Sequence, residues 1–534
     1  MARHIQAVFS VTVDSWQDLV VVAVDGVESL GRPYDFWITA VAPTGASFDA
    51  REAIGEKATL TFRLEGEGEP TIDKRIVRGV VTAIEDSFDL PANHRVYRFR
   101  LQPPIALLEN IVSQELYVGT PIPDVIASKL TQGNIDLPHA FSLADRAVYV
   151  DGTDAAKWTD APGTGQPSEP RLITQFKESD LAFVMRLAEH AGISMCFEGT
   201  EGGDKALFVD HNEGFPAAAG AIPYQGDGTQ EGIVSLKRQT RWVPTIVMVA
   251  DYNYRAPTAN LLDGAGSQVF DVLGAKAESK RPWPGLVVDY APNVKNDKEA
   301  KRQALIGKEL YETECDKLEG QGHIPEMAAG LRFKIANHGT ISEQDWHVAV
   351  AVQHHYESPH QGPNECGAEP QFRCTFHAVP LLKDDHAFTV RPQRRTPKPR
   401  IHGFVTGVIV GPSASSNSEL QHIDSVGRYL VHLHFAQGET TVLPRIRMAQ
   451  SHAGPNYGIH FPLRPGTEVL VAFVDGDPDR PLIVGAVPNA ITRTPVFADG
   501  AAATVDTVVE PNRILSRSGI LIEISDGDPP APTP

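Results

Sequence analysis

The stretch AQSHAGPNYGIHFPLRPGTEVLVAFVDGDPDRPLIVGAVPN, residues 449–489, predicts the fold of the C-terminal part of the chain. Two apolar segments, Glu468–Val474 and Leu482–Val487, have the length and composition of β-strands. The residues between them favour a tight turn: Gly476, Asp477, Pro478, Asp479, Arg480 and Pro481. A charge-assisted bond between Asp479 and Arg480 could fix this loop. We therefore predict a β-hairpin with a structural turn, and a partner contact at the loop is the alternative.

The same pattern of short apolar runs and turns extends over the rest of the chain. Val, Ile, Thr and aromatic residues recur in short runs, and 45 Gly and 41 Pro residues separate these runs. β-branched and aromatic residues favour strands, whereas Gly and Pro favour turns. A chain of 534 residues is also too long for a single core. We therefore expect a mainly β protein of three or four domains.

The charge balance excludes some classes of partner. The chain has 67 Asp and Glu residues against 48 Lys and Arg residues, which gives a net charge of −19. A nucleic-acid-binding protein needs a basic face to neutralise phosphates, and a protein on an anionic membrane needs one as well. The sequence therefore argues against a nucleic-acid partner and against an anionic membrane as the main partner.

The cysteines and the N-terminal sequence indicate the compartment. Four cysteines in so long a chain do not form a disulfide framework, which indicates folding in a reducing cytoplasm: Cys196, Cys315, Cys366 and Cys374. The first residues, MARHIQAVFSVTVDSW, lack the long apolar stretch of a signal peptide. No run approaches the roughly 18 apolar residues of a membrane helix. We expect a protein that is assembled in the cytoplasm and leaves the cell, if it does, without a signal peptide.

Changes in composition divide the chain into six parts. The clearest helix has Ser179 or Asp180 as its N-terminal cap and Gly192 as its stop. The basic, Pro-rich stretch Arg391–Arg400 predicts an extended link. The predicted parts are a first β unit (1–105), an inserted α/β subdomain (106–229), a second β unit (230–390) with a helical insertion at about 256–328, the linker (391–400), a compact β domain (401–490) and a tail (491–534).

The tail contains an apolar strand face that little remaining sequence could cover. Ile520, Ile522 and Ile524 occupy alternate positions, so their side chains point to one face of a strand. In a threefold assembly each chain would present this face to the other two. We therefore expect folding of the tail to be linked to trimerisation.

Two groups of residues have the chemistry of a metal site but not its usual pattern. His432 and His434 share one face of a strand, and ordinary surface or interface histidines are the simpler interpretation. The seven residues between Cys366 and Cys374 exceed the usual spacing of a zinc site, although several histidines are close in the sequence: His354, His355, His360 and His377. No nucleophile elbow, HExxH, phosphate-loop or dinucleotide motif occurs. We therefore predict buried thiols, no metal, no cofactor and no catalytic residues.

The stretch 403–489 resembles the OB-fold domain of VgrG proteins from type VI secretion and of the T-even phage spike protein. The segments VTGVIVGP (405–412) and GRYLVHLHF (427–435), together with the stretch 449–489, carry this resemblance. Weaker matches extend it over nearly the whole chain: VESLGRPYDFWITAV (27–41), FKESDLAFVMRLAEHAGISMCFE (176–198), DYNYRAPT (251–258), VVDYAPNVKNDKEAKRQA (287–304) and NRILSRSGILIEI (512–524).

This resemblance implies a mainly β fold with α+β insertions. Its parts would be two tube-forming β-barrel domains with inserted subdomains, an OB-fold domain and a very short C-terminal trimeric β-helix stub. It implies a non-enzymatic homotrimer at the tip of a contractile injection machine. Two barrels per chain would give six similar units that match a hexameric tube protein of the Hcp type. A PAAR-type tip protein, baseplate components and an effector cargo are the other implied partners.

Three alternatives remain open from the sequence. Most such spikes continue for many β-helix repeats, whereas this sequence stops after one or two in Pro-rich sequence. That favours a naturally short spike, as in extracellular phage-tail-like particles, over a truncation. A phage or tailocin baseplate hub would show the same features. An OB-fold enzyme or ligand-binding protein would use His432, His434 and the 476–481 loop.

Overall fold

Strands account for most of the regular structure, as the composition predicts. The computed structural model of the protein describes residues 4–13, 16, 18–42, 49–66, 69–87, 95–133, 135–149, 171–226, 231–251, 273–290, 293–294, 297–358, 370–382, 387–411, 423–424, 427–437, 443–454, 457–492 and 512–524. These residues belong to two compact units, Met1–Pro399 and Arg400–Pro534. None of the helices in these ranges is both long enough and apolar enough to cross a membrane.

Six strands near the N-terminus curl into a nearly closed barrel. They are β1 (His4–Val11), β2 (Val20–Ser29), β3 (Asp35–Val41), β4 (Lys57–Glu65), β5 (Ile72–Ser87) and β6 (Val96–Gln102), and a short helix α1 (Ala50–Ala53) precedes β4. All neighbours pair antiparallel in the order β1-β4-β5-β6-β3-β2. β1 and β2, at the two ends of this run, contact each other. The first predicted β unit therefore has the architecture of a nearly closed barrel.

Aromatic rings fill the inside of this barrel. The ring of Phe99 lies 5.0 Å from that of Phe9 and 5.3 Å from that of Trp16, measured between centroids. All three side chains are at most 4% exposed. Burial of one large apolar side chain contributes about 1.5–3 kcal/mol to stability. The alternate burial along each strand, which follows from its two-residue period, therefore holds the barrel together.

The segment after the barrel forms an α/β subdomain with its own core. Its longest helix, α3 (Asp180–Ala191), has Ser179 as its N-cap, which accepts a hydrogen bond from the Ala182 N–H at 3.2 Å. Gly192 ends the helix in the left-handed region at φ 72°. Both helix ends are those predicted from the sequence. The other elements are β7 (Val112–Ser113), β8 (Leu116–Val118), α2 (Ile122–Leu130), β9 (His139–Ser142), β10 (Leu172–Thr174), β11 (Glu178–Ser179), β12 (Ser194–Glu198) and β13 (Lys205–Val209).

Most later strands of this unit extend the barrel sheet and do not form a separate one. They are β14 (Ile222–Pro223), β15 (Gly232–Thr240), β19 (Asp316–His323), β20 (Arg332–Ala336), β21 (Trp346–Glu357) and β22 (Gln371–Pro380). β2 pairs with β21, and the order continues β21-β22-β19-β15, with β20 on β21 and β14 on β20. Strands from both predicted β units thus share one sheet and one core. The count of two separate barrels stays a prediction.

The region predicted as a helical insertion contains more strand than expected. A second sheet forms from β16 (Ile246–Asp251), β17 (Leu273–Glu278) and β18 (Leu286–Tyr290), in the order β17-β16-β18. The helix α4 (Asp297–Cys315) packs on this sheet. It ends at Cys315, because Asp316–His323 alternates in burial and pairs as β19.

The predicted extended link, Arg391–Arg400, has no regular secondary structure, but side chains hold its first part against unit 1. The guanidinium of Arg391 bonds to Glu309 at 2.8 Å. Both carboxylate oxygens of Glu189, on α3, accept bonds from the link. One oxygen accepts from the Arg395 and Thr396 N–H groups at 2.9 and 2.8 Å, and the other accepts from the Thr396 hydroxyl at 2.9 Å. The link is therefore extended, and hydrogen bonds and an ion pair fix its first part to the rest of unit 1. We call it the pinned link.

Glycine is required at two places where a phenylalanine ring crosses the neighbouring strand. Gly26 pairs with Phe36 in the first half of the sheet, and Gly320 pairs with Phe376 in the second half. A Cβ atom at Gly26 would lie 2.2 Å from a Phe36 ring carbon, and one at Gly320 would lie 2.1 Å from a Phe376 ring carbon. The same contact of a glycine with a phenylalanine ring on the neighbouring strand thus occurs in both halves of the sheet.

We expect Gly320→Ala to lower the midpoint of denaturant unfolding, with a loss of about 1–3 kcal/mol, because the added methyl overpacks the buried Phe376 ring. Gly339→Ala is the matched control, since a Cβ atom there meets no atom within 4 Å. Equal midpoints for the two variants would contradict this account of the strand crossing.

Five strands of unit 2 form a small barrel. They are β23 (Val405–Ile409), β24 (Arg428–Leu433), β25 (Arg445–Arg447), β28 (Glu468–Phe473) and β29 (Pro481–Ala486), and the short pair β26 (Ala453–Gly454) and β27 (Tyr457–Gly458) lies between β25 and β28 in sequence. The order is β25-β24-β23-β28-β29. A bridge between Met448 and Ile483 brings the two ends of the sheet together. Five antiparallel strands in a nearly closed sheet are typical of an OB fold.

Candidate functional site

The tail strand with the alternating isoleucines forms an exposed hairpin in unit 2. It consists of β30 (Asn512–Leu515) and β31 (Leu521–Ile524), which pair antiparallel. Ile514 lies opposite Ile522, so these two share a face, and Ile520 and Ile524 share it by alternation. Leu515 and Leu521 pair on the other face, beside an ion pair of Arg513 and Glu523 at 2.7 Å.

Apolar side chains cover both faces of this hairpin, yet they contact water. Six of them are between 48% and 68% exposed: Ile514, Leu515, Ile520, Leu521, Ile522 and Ile524. An isolated two-stranded hairpin is marginal in water, and exposed apolar patches mark interaction sites. The predicted face of Ile520, Ile522 and Ile524 is therefore exposed in the single chain, and the β-helix stub itself stays a prediction.

The 476–481 loop connects β28 to β29, as its turn chemistry predicts. Its bend begins at Asp475 and Gly476, both with positive φ, at 56° and 70°. The Asp477 side chain accepts a bond from the Asp479 N–H at 2.9 Å, and the Val474 N–H donates to the Arg480 carbonyl at 2.9 Å. These bonds lie within the loop and support the interpretation as a structural turn. A partner contact at Pro478 or elsewhere in the loop stays untested.

The paired histidines of the OB-type barrel lie as predicted. Val431 and Leu433 are buried in the barrel, while His432 and His434 are exposed on the other side. His434 Nδ1 lies 2.8 Å from the Thr406 hydroxyl. Both rings therefore face water in the single chain.

The second candidate metal group is divided between the core and the surface. Cys374 is buried, as predicted, and lies opposite the buried His354 across β21 and β22. His355 and His377 point outward on the same strands, and Cys366 and His360 lie outside the described residues. Among the residues that the structure describes, no group of three or more His, Cys, Asp or Glu side chains is placed to hold a metal ion.

A buried charged network surrounds His354 in the shared core. His354 Nε2 lies 2.9 Å from a carboxylate oxygen of Glu28 and 2.9 Å from a guanidinium nitrogen of Arg75. Arg75 also bonds to Glu28 at 2.7 Å. The His354 ring stacks near Phe36 and Phe62, with centroids 5.7 and 6.1 Å away. Sequence reasoning missed this network, because single charged residues in strands look like surface residues.

The network holds opposite charges with little water around them. Burial alone would raise the pKa of Glu28, but Arg75 and His354 bring it below its ordinary value. Burial lowers the pKa of His354, and the hydrogen bond to Glu28 offsets only part of this effect. Burial also lowers the pKa of His347, to about 4. The folded unit therefore keeps both imidazoles neutral near pH 7.

Comparisons with known families agree with this architecture. Residues 27–360, which include most strands of the shared sheet, match the family of the phage tail baseplate hub. The chain belongs to the phage tail baseplate hub family. Residues 418–487 of this hub protein match the type VI secretion system/phage-baseplate injector OB domain. The resemblance to VgrG proteins that the stretch 403–489 carries is thereby confirmed.

Curated relatives of this hub protein carry VgrG names. The chain is 27% identical to the type VI secretion system spike protein VgrG4b of Pseudomonas aeruginosa over 92% of its own length and 57% of that protein. It is 24% identical to the actin cross-linking toxin VgrG1 of Vibrio cholerae over 92% of its length, but only 42% of the toxin. The chain thus spans about half the length of these curated relatives.

A solved structure shares the fold. It is an E. coli component of the type VI secretion system that is described as structurally similar to the T4 bacteriophage tail proteins gp27 and gp5. The TM-score is 0.59 with 17% identity, over 90% of this chain and all of the other. At this identity the similarity shows the fold alone.

We expect acidification from pH 7 to 5 to destabilise unit 1, partly through His354. The unfolded chain takes up a proton near the ordinary histidine pKa of about 6.5, whereas the lowered pKa of His354 means that the folded unit takes it up only at lower pH. The free energy of unfolding therefore falls as pH falls through this range. Thermal unfolding at several pH values should show a weaker pH dependence for His354→Gln than for the wild type. His355→Gln, at the exposed neighbouring position, should retain the wild-type dependence, and equal slopes for all three proteins would contradict the assignment.

Proposed function

We propose that this hub protein is a non-enzymatic, trimeric spike-and-hub at the tip of a contractile injection machine. The exposed hairpin of β30 and β31 is the observation that carries the proposal. The six apolar side chains of this hairpin cannot bury one another, because they point to both faces of one ribbon. Two further copies of the same hairpin would cover these faces around a threefold axis, as the start of a β-helix stub.

The same proposal explains the large shared sheet of unit 1. Each half of the sheet has its own strand crossing of glycine and phenylalanine, which is consistent with a duplicated unit. Three chains with two such halves each would present six similar units. Each of the six subunits of a hexameric tube protein of the Hcp type would then contact one of these units.

The other proposed partners follow from the position at the tip. A PAAR-type tip protein would cap the trimeric hairpins, baseplate components would surround the hub, and an effector would travel as cargo. The chain would be assembled in the cytoplasm and delivered outside the cell by the machine. Sheath contraction would supply the energy, so no side chain needs a catalytic role. The family match supports a phage-type baseplate hub equally well as a setting.

Light scattering coupled to size exclusion tests the oligomeric state. Three chains of 58.0 kDa give a mass of about 174 kDa. We expect Ile522→Glu to shift the mass toward that of one chain, because it would bury a charge at the threefold contact. Ser518→Glu is the matched control, since it adds the same charge at the exposed turn of the same hairpin.

Circular dichroism of each variant separates loss of assembly from loss of fold. A wild-type protein that is fully folded at one-chain mass in dilute solution would rule out the trimer. A trimer whose dissociation Ile522→Glu leaves unchanged would rule out the hairpin as one of its contacts.

A further inference from the structure

Both faces of the sheet β17-β16-β18 carry apolar side chains. On one face, α4 covers Val247, Val249 and Ala275 with Ala300 and Ala304, and all five side chains are buried. The other face presents four large side chains to water: Met248, Leu286, Val288 and Tyr290. We call these four the outer patch. A sheet whose two faces are both apolar is ordinarily covered on both sides.

The outer patch is contiguous. Met248 lies directly beside Val288 in the parallel pairing of β16 and β18, and Leu286 and Tyr290 flank Val288 on the same face. Their exposed fractions are 39% for Met248, 58% for Leu286, 55% for Val288 and 66% for Tyr290. Trp242, which is 72% exposed, donates its indole N–H to the Pro284 carbonyl just before β18 begins. Met, Tyr and Trp are enriched at protein interfaces.

The outer patch includes an edge strand of the described sheet. Among the described strands β18 pairs only with β16. Its single charged residue, Asp289, points to the opposite face and lies 3.8 Å from Arg394. Lys276 and Glu278, on β17, form an ion pair at 2.8 Å and border the patch. An apolar centre with a charged rim is the anatomy of a protein–protein contact, and an apolar edge strand favours association.

We propose that the outer patch packs against a second copy of this chain, as the hub-level contact of the trimer. The inference rests on the proposed function. A stable interface buries about 800 Å² on each partner, which is more than six half-exposed side chains of one hairpin supply. A stable trimer therefore needs a further contact, and the outer patch supplies one in the other unit.

Charge favours a copy of the chain at this particular face. Each copy carries a net charge of −19, so contacts between copies are favoured where both surfaces are uncharged. The outer patch is such a surface. In a threefold ring the contact is head-to-tail, so the patch of one copy meets a different surface of the next.

Photo-crosslinking identifies what covers the patch. A full chain with p-benzoylphenylalanine in place of Tyr290 should give chain-to-chain crosslinks when the purified trimer is irradiated. The same probe at Lys237, whose side chain is 74% exposed in the same unit, is the control and should give few. A sample that light scattering shows to be trimeric, but that yields no such crosslink from position 290, would overturn the inference. Crosslinks only to an added tube protein would overturn it as well.

Dissociation of the trimer gives an independent measurement. Val288→Glu should raise the concentration at which half of the trimer dissociates by about tenfold or more, since it places a charge in an apolar contact. Lys276→Gln, in the bordering ion pair, should have a smaller effect. An unchanged dissociation for a folded Val288→Glu protein would exclude the patch. A wild-type protein without any trimer would instead refute the proposed function, so the two failures are distinguishable.

Discussion

The pairing of β2 with β21 is the constraint on which the rest of unit 1 depends. It joins residues 23–29 to residues 351–357, so strands from the two ends of the unit become neighbours in one sheet. Closing so long a loop costs conformational entropy, which the shared core must offset. The α/β subdomain and the sheet β17-β16-β18 are both excursions of the chain between these two strands. The buried network of Glu28, Arg75 and His354 crosses the same junction.

Local structure was largely readable from the sequence, whereas pairing over long distances was not. Both ends of α3 agree with the prediction, because helix caps are encoded in neighbouring residues. The pairing of β2 with β21 leaves no such local signal. The strands β17 and β18 fall in the region predicted as a helical insertion, since each is only five or six residues long and α4 follows them.

The two candidate contact surfaces, the hairpin of β30 and β31 and the outer patch, also differ in how far the sequence alone indicates them. The alternation of Ile520, Ile522 and Ile524 indicated an uncovered face directly, and those residues are exposed in the structure. Leu286, Val288 and Tyr290 alternate in the same way, which was the available signal for the outer patch. The structure adds that α4 covers the opposite face of this sheet, so that the face with these three side chains is the exposed one.

The pinned link has a mechanical consequence. The carboxylate of Glu189, on α3, accepts three hydrogen bonds from two consecutive residues of the link, Arg395 and Thr396. Tension applied at Arg400 would load these three bonds together, so they would have to rupture almost at once. Unit 1 would therefore resist unfolding from its C-terminal end. Force applied there would be transmitted through the Glu189 bonds to α3 before the proline-rich segment detached.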